Sequence, residues 1–319
     1  MKKVIILLGP TGVGKTGASI LLAKKLDTEI ISADSMQIYR HMDIGTAKPS
    51  FEERTVVRHH MIDIVEPYEY FSTGRYREMA GAIIQALHEK GKIPLVVGGT
   101  GLYIRAMTRG IFSGPSADWT LREELLSTER EVKGTLYNYL KNLDPAAAQK
   151  ITVNDTRRII RALEVCLKSP VNISSMQDRF TRPLPFDFIK IGLTRERKEL
   201  YRMIEERVDL MINAGFINEV TNVKRIILNS APVSSSGETG HSLSSIKAIG
   251  YKEIAQHISG EISLEEAVHL VKRNTKRYAK RQFTWFRKEE GIHWIDITGI
   301  FDDTTIIDRI LTKIDMQNA

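Results

Sequence analysis

Val4 to Leu8 are consecutive apolar residues, and they run straight into GPTGVGKT at residues 9–16. An apolar run of that kind reads as a strand buried on both faces, and GPTGVGKT fits G-x-x-x-x-G-K-[ST]. The glycines let the main chain turn so that several N–H groups point at one place. Lys15 adds a mobile positive charge there, and the hydroxyl of Thr16 can ligate Mg²⁺. A helix that begins at Lys15 brings its positive dipole end to the same point. With a strand before it and a helix after it, Gly9, Pro10, Thr11, Gly12, Val13, Gly14, Lys15 and Thr16 read as a phosphate-binding loop in an α/β fold.

The rhythm continues along the chain. Apolar runs at 29–33 (EIISA), 60–65 (HMIDIV) and 93–98 (IPLVVG) alternate with the helix-period stretches TGASILLAKKL and RYREMAGAIIQALHEKG. This predicts a P-loop-type parallel sheet flanked by helices, wound on both faces. After residue 112 the turn-rich SGPSADWT breaks the pattern, and 113–184 reads as helical with no strand candidate. FDFIKIGLT then returns as a strand, and RKELYRMIEERVDLMINAGF comes after it as a helix. The expected organisation is a core formed by 1–112 and 185–319, with an inserted all-helical domain at 113–184. SSSGETGHSLSS, at 234–245, reads as a mobile surface loop. A chain of 319 residues with 42% hydrophobic content is long enough to give both parts a core.

Several classes fall away. MKKVIILL starts like a secretion signal, but Gly9 and Pro10 cut the apolar run short and no small-residue cleavage site is present. No stretch approaches the roughly 18 apolar residues of a membrane span, so no membrane partner is expected. The single cysteine, Cys166, rules out a disulfide framework and a Cys-rich zinc site; a reducing cytoplasm fits, and Cys166 reads as an inert buried thiol. The eight histidines make no pair on one helix face, and no zinc is expected. A monomer is expected, since no long heptad stretch is present.

Asp34 ends the second predicted strand, and ligands of open α/β sheets gather at the carboxyl ends of strands. Its residue type suits a turn or helix cap, a metal support, or a general base toward an acceptor lying over the phosphates. The fourth strand ends in Gly98, Gly99 and Thr100, without the acidic residue that phosphate-hydrolysing proteins commonly place there. A small hydroxyl between glycines suits close approach of a flat substrate, as well as a tight turn.

The formal charge is +7, which favours an anionic partner without naming one. VKRNTKRYAKRQFTWFRK, at 271–288, repeats Lys272/Arg273, Lys276/Arg277 and Lys280/Arg281 every four residues and contains no acid. On a helix those pairs stack along one side, with Val271, Tyr278 and Trp285 along another, and Ser263 with Glu266 reads as the capping box that starts it. Like charges at that spacing repel, so phosphate-backbone binding is the better reading. Arg157, Arg158 and Arg161 form a second cluster on a helix of the insertion. Two basic elements suit a long polyanion, and a small nucleotide needs neither.

GPTGVGKT, DSMQIYRHMDIGTAKP at 34–49, VVGGTGLY at 96–103, PSAD at 115–118, NDTRRIIRALEV at 154–165, SIKAIGYKE at 245–253 and KRQFTWFRK at 280–288 resemble the bacterial tRNA dimethylallyltransferases. The likeness runs in order across nearly the whole chain, and GTAKP with KRQ-x-TW-x-R is far more specific than the phosphate loop. It implies transfer of the dimethylallyl group of dimethylallyl diphosphate to the N6 amine of the adenine that follows the tRNA anticodon, with Mg²⁺ at Thr16. It further implies that Asp34 takes the amine proton, that Thr100 holds the amine or the leaving group, and that Lys15 and Arg207 bind the diphosphate. From the sequence alone Arg207 is equally half of an ion pair with a nearby glutamate. By the same resemblance Asp34, Ser35, Met36 and Gln37 line the pocket of an extruded adenine. Arg122, the segment Arg157, Arg158, Ile159, Ile160 and Arg161, the segment Lys247, Gly250, Tyr251 and Lys252, and Lys280, Arg281, Gln282, Trp285 and Arg287 hold the tRNA anticodon stem-loop. Trp285 suits a core role more than base stacking. Met36 stands where many members carry Arg, and Gly12 where Ala or Ser is usual; neither change removes a needed group.

The residues by themselves leave two rivals open. A small-molecule kinase would use the same loop on ATP with Asp34 deprotonating a hydroxyl, and a non-catalytic RNA-binding protein would use only the basic helices.

Overall fold

In the computed structural model, residues 1–112, 114–230 and 245–316 are described. The loop expected at 234–245 lies outside them except for Ser245. Six strands form one all-parallel sheet: β1 (Lys3–Leu8), β2 (Ile30–Ala33), β3 (His59–His60), β4 (Leu95–Gly98), β5 (Asp187–Thr194) and β6 (Ile292–Asp296). Their order is β3-β2-β4-β1-β5-β6. Helices in the same part of the chain are α1 (Lys15–Lys25), α2 (Phe51–Val56), α3 (Thr73–Glu89) and α4 (Gly101–Thr108). Between β4 and β5 come α5 (Trp119–Glu131), α6 (Thr135–Leu143), α7 (Pro145–Lys150), α8 (Thr156–Lys168) and α9 (Ile173–Phe180). After β5 stand α10 (Arg197–Asn213), α11 (Phe216–Asn229), α12 (Tyr251–Ile258), α13 (Leu264–Phe286) and, beyond β6, α14 (Asp303–Asp315).

The described residues form two compact units. The larger comprises 1–105, 185–230 and 245–316, and the smaller 106–184. The division falls inside α4 rather than at 112/113, because the end of that helix belongs with the returning chain: Leu184 N–H donates to Met107 O at 2.8 Å.

In the larger unit β1 is apolar from Val4 to Leu8 because helices cover both faces of the sheet. Ile5, Leu7, Leu95, Ile191 and Leu193 pack with Leu22 of α1, Leu200 and Ile204 of α10 and Ile306, Ile307 and Ile310 of α14. Register decides where the loops emerge. Leu8 lies beside Gly98 and Gly192, and Ala33 lies beside Gly98. The segments after β1, β2 and β4 therefore leave the sheet at one level, on its carboxyl edge.

One expected strand is much shorter than the sequence suggests. HMIDIV keeps only His60 in β3, because Met61 and Asp63 take φ of 63° and 55° and turn the chain away. Asp63 is held in that turn by Lys48 and Arg54, both at 2.6 Å. Elements not foreseen are α2, α4, α11, α12, β6 and α14. The buried Ile306, Ile307, Ile310 and Ile314 give α14 a helical apolar stripe.

The smaller unit has its own core, in which Leu125, Leu136, Leu140, Leu163, Val165 and Ile173 meet. Ile159 and Ile160 are part of that core at 1% and 8% exposure, so their side chains do not reach an RNA. Arg122 corrects a second expectation. It grips the buried carboxylate of Glu164 with Nε and one Nη at 2.8 Å each, over the face of Trp119. Arg161 joins the same carboxylate and also donates to Pro115 O at 3.0 Å. These two arginines hold α5 and the 115–118 turn to α8, whereas Arg157 and Arg158 are exposed. Burial pushes the Glu164 carboxyl up, but bonds from Arg122, Asp118 N–H and Arg161 outweigh it and leave it below its ordinary value.

A lowered carboxyl stabilises the fold above its unfolded value near 4.5, and that contribution disappears as pH falls through the lower folded value. Thermal melts from pH 7 to pH 3 should show Glu164→Gln losing roughly 3–5 kcal/mol at neutral pH, with the difference from wild type closing in acid.

Candidate active site

Gly14 has φ 104° and is the residue before α1; an L side chain there would be strained, so the turn that presents the first N–H groups of α1 depends on glycine. Three tethers hold the phosphate loop in shape. Gln282 of α13, buried at 6% exposure, accepts from Thr11 N–H at 2.9 Å and donates to Gly99 O at 2.8 Å. Arg195 donates to Val13 O at 3.0 Å and also to Ile297 O and Ile300 O at 2.8 and 2.6 Å. Lys15 Nζ folds back onto Gly9 O and Pro10 O at 2.9 and 2.8 Å.

Arg207 completes the cationic side. Leu200, Ile204 and Val208 bury one face of α10, and Arg207 lies one turn beyond Ile204, donating to Thr11 Oγ1 at 2.7 Å. It makes no carboxylate pair among the described residues, and its buried Nε has no hydrogen-bond partner. The surface ion-pair alternative is therefore absent. An unpaired guanidinium donor beside the loop is a structural mark of an anion site.

A cavity of about 280 Å³ opens here, lined on one side by Thr11, Lys15, Thr16 and Arg207 and on the other by Asp34 and Gln37. Asp34 is both a turn residue and a cavity group. Its Oδ1 accepts from Met36 N–H at 2.8 Å and Gln37 N–H at 3.4 Å, and its Oδ2 makes no protein hydrogen bond among the described residues. Thr100 ties the loop after β4 to the loop after β2, since its Oγ1 accepts from Ser35 N–H at 2.9 Å. Tyr278 of α13 stands beside that hydroxyl, and its phenol is raised by burial and by Asp34 and stays protonated. Gln37 lines the cavity with its amide already engaged, accepting from Ser32 Oγ at 3.0 Å and donating to Ala47 O at 3.2 Å.

The Thr16 hydroxyl faces this cavity and makes no protein hydrogen bond among the described residues. No cluster of three acidic, histidine or cysteine side chains able to hold a metal occurs among them. One hydroxyl beside a site for anionic oxygens fits Mg²⁺, which binds few protein ligands and keeps its waters.

Of the residues assigned to RNA, some face solvent and some do not. Arg281 and Arg287 are exposed, as are Lys247, Lys252 and Lys280. Arg277, Lys280, Arg281, Thr284, Trp285 and Lys288 surround an open concavity of about 470 Å³. Trp285 is half-buried, seated against Gly101, where any Cβ would strike the indole. Tyr251, fully buried, donates to Glu219 at 2.6 Å; Gly250 is the buried cap of α12. These two residues and Gln282 are internal struts, because the helix faces they occupy point into the unit. The basic stripe is also less uniform than its sequence: Lys272 and Lys276 pair with Asp209 and Glu205 of α10. Ser263 caps α13 by accepting from Glu266 N–H at 3.1 Å.

Sequence reasoning missed Arg195, Tyr278 and Glu219. Arg195 carried a faint signal, an arginine immediately after β5. Tyr278 was read only as part of an apolar line, and the role of Glu219 depends on a loop distant in sequence.

The fold and site define a parallel α/β protein in which a glycine-rich loop, a lysine and an arginine share one cavity with a carboxylate. The family model described as IPP transferase matches residues 37–289. The chain belongs to that family. It is 58% identical to the tRNA dimethylallyltransferase of Thermodesulfovibrio yellowstonii over 98% of each chain. A full-length tRNA isopentenylpyrophosphate transferase from Bacillus halodurans superposes with a TM-score of 0.69 at 39% identity, covering 100% of this chain and 98% of that one. A eukaryotic dimethylallyltransferase acting on tRNA gives 0.81 at 30% identity, covering 100% and 80%.

Burial lowers Lys15 to about 8, with Asp34 raising it and Arg207 lowering it further. A bound anion favours the charged form, so binding above that pH must also take up a proton. Calorimetric titration with inorganic diphosphate should show the affinity advantage of wild type over Lys15→Arg shrinking as pH rises past 8, approaching about tenfold per unit.

Proposed function

We propose that this protein is a tRNA dimethylallyltransferase. It transfers the dimethylallyl group of dimethylallyl diphosphate to the N6 amine of the adenine that follows the anticodon. The reading is carried by one juxtaposition: the free oxygen of Asp34 faces the same small cavity as Lys15 and Arg207. Membership of the IPP transferase family supports it.

That arrangement dictates the chemistry. The bond between the allylic carbon and the diphosphate oxygen breaks, and its electron pair leaves with the diphosphate. Loop N–H groups, Lys15 and Arg207 stabilise the charge that grows there, most effectively in a site closed to water. Thr16 would hold Mg²⁺, which supplies further neutralisation of the leaving group. The adenine amine is a weak nucleophile because its lone pair is delocalised. It bonds to the allylic carbon as Asp34 Oδ2 takes its proton, while the hydroxyl pair Thr100 and Tyr278 borders the acceptor. No acidic residue comes directly after β4, where Gly98, Gly99 and Thr100 stand, and this favours group transfer over phosphoryl chemistry.

The acceptor base must leave its loop to enter so small a cavity. Lys280, Arg281 and Arg287 on or beside the end of α13, with Lys247 and Lys252 before and in α12, supply phosphate contacts to the anticodon stem-loop from the larger unit. Arg157 and Arg158 supply them from the smaller. Arg122 and Arg161 act behind them by holding Glu164.

Mass spectrometry of nucleosides from unmodified tRNA incubated with enzyme, donor and Mg²⁺ tests donor, acceptor and base position together; labelled ATP with candidate acceptors should yield no phosphorylated product. Asp34→Ala should keep tRNA affinity and lose turnover. Lys280→Ala or Arg281→Ala should weaken tRNA binding and flatten its dependence on log salt by roughly one unit per phosphate contact removed. An unchanged slope would take α13 out of the RNA interface.

A further inference from the structure

The stretch DIGTAKP, at 43–49, forms one wall of the cavity without belonging to any helix or strand. Two charged side chains fasten it to the larger unit. Lys48, whose side chain is 1% exposed, reaches Tyr39 O at 2.9 Å and the carboxylates of Asp43 and Asp63 at 2.5 and 2.6 Å. Those partners lie within fifteen residues of Lys48 in sequence. The second side chain comes from far away. Glu219 of α11 accepts from three successive main-chain N–H groups: Asp43 and Ile44 bind its Oε2 at 2.9 and 2.7 Å, and Gly45 binds its Oε1 at 2.9 Å.

Successive N–H groups converging on one point make a nest that suits an anion, and here a side-chain carboxylate fills it. The Tyr251 hydroxyl donates to Oε1 at 2.6 Å, so both oxygens are doubly engaged. Gly45 lies flat against Phe216 and Tyr251, whose rings meet edge to face, and any Cβ there would collide with both.

The clamped residues lead directly to the site. Thr46, Ala47 and Pro49 line the cavity, and Gln37 Nε2 donates to Ala47 O at 3.2 Å. Gln37 in turn closes the turn on Asp34 Oδ1. We propose that Glu219 is a positioning residue for prenyl transfer: it fixes the 43–49 wall and, through Gln37, the turn that aims Asp34. Resting on the transferase reading, this assigns Glu219 an effect on the rate of transfer and little on the diphosphate cradle, because its hydrogen bonds go to Asp43, Ile44, Gly45 and Tyr251 and none goes to the phosphate loop or Arg207.

Glu219→Gln is the decisive variant, because it keeps the volume and halves the acceptor oxygens, turning an NH₂ toward N–H donors. Its kcat for tRNA prenylation should fall on the order of 10- to 100-fold, the scale of a misplaced reacting group. Inorganic diphosphate should still bind within about twofold of wild type, since Lys15 and Arg207 share no hydrogen-bond partner with Glu219. Wild-type kcat in Glu219→Gln would overturn the inference, since mere space-filling is satisfied by the isosteric amide. Diphosphate affinity falling in step with kcat would overturn it too, by exposing a general loss of structure. Should Glu219→Gln not fold, Tyr251→Phe decides: it removes one donor and leaves the three N–H bonds, so a reduced kcat supports the role and an unchanged one refutes it. Wild-type protein that leaves tRNA unmodified in the same assay would instead overturn the transferase reading itself.

Discussion

Main-chain polar groups at the carboxyl edge of a parallel sheet have no strand to pair with, and each one that is buried must find a partner or bind a ligand. In this protein side chains from remote parts of the sequence take up some of those groups and leave others vacant. Gln282 bridges Thr11 N–H to Gly99 O, and Arg195 takes Val13 O. Thr100 takes Ser35 N–H, and Glu219 takes three N–H groups of the next loop. Around one cavity three side-chain groups are left unclaimed: the Nε of Arg207, the Oδ2 of Asp34 and the hydroxyl of Thr16. Preorganisation here means that the loops are already held by their own hydrogen bonds, so a substrate need not supply the energy to order them.

The charge excess divides in the same way. Lys48, Arg54, Arg122, Arg161, Arg195, Lys272 and Lys276 are all paired with carboxylates inside the fold. Lys15 and Arg207 belong to the cavity. Arg157, Arg158, Lys280 and Arg281 are exposed, and Lys280 and Arg281 have no carboxylate within ion-pair distance among the described residues. A formal +7 therefore does not locate an anion site by itself: part of the positive charge is taken up by internal pairs, while Lys280, Arg281 and Arg287 lie exposed together at the end of α13, where they can orient an RNA backbone.

How much of this could be read from the letters depends on range. The phosphate loop, the apolar strands and the helical stretch 113–184 rest on neighbours in sequence, and a periodic pattern reports them directly. HMIDIV failed as a strand because Asp63 is drawn into a turn by Lys48, fifteen residues away in sequence, a contact that no local pattern contains. Ile159, Ile160, Tyr251 and Gln282 looked like contact residues because they sit inside specific motifs. Their specificity is structural: two are core, one is a strut to Glu219, and one ties α13 to the loop. Conversely Tyr278 looked like core and stands beside Thr100. Asp34 posed a choice between a turn role and a chemical one, and its two oxygens divide the roles.

A cradle for phosphate is neutral as to which bond breaks. Amides, a lysine and an arginine lower the energy of negative charge on phosphate oxygens whether that charge grows from scission of P–O or of C–O. The outcome is decided across the cavity. Phosphoryl transfer from a nucleotide draws on an acidic residue at the neighbouring strand end to help hold its metal, and β4 ends instead in two glycines and a threonine. Removing that carboxylate opens room for a flat ring, and keeps Asp34 as the acidic group nearest the cradle among the residues lining the cavity. Placed there, a carboxylate would oppose an incoming phosphate anion yet stabilise an electron-poor carbon and accept an amine proton. The same substitution of charge by space thus disfavours one reaction and admits the other, and the cradle need not change.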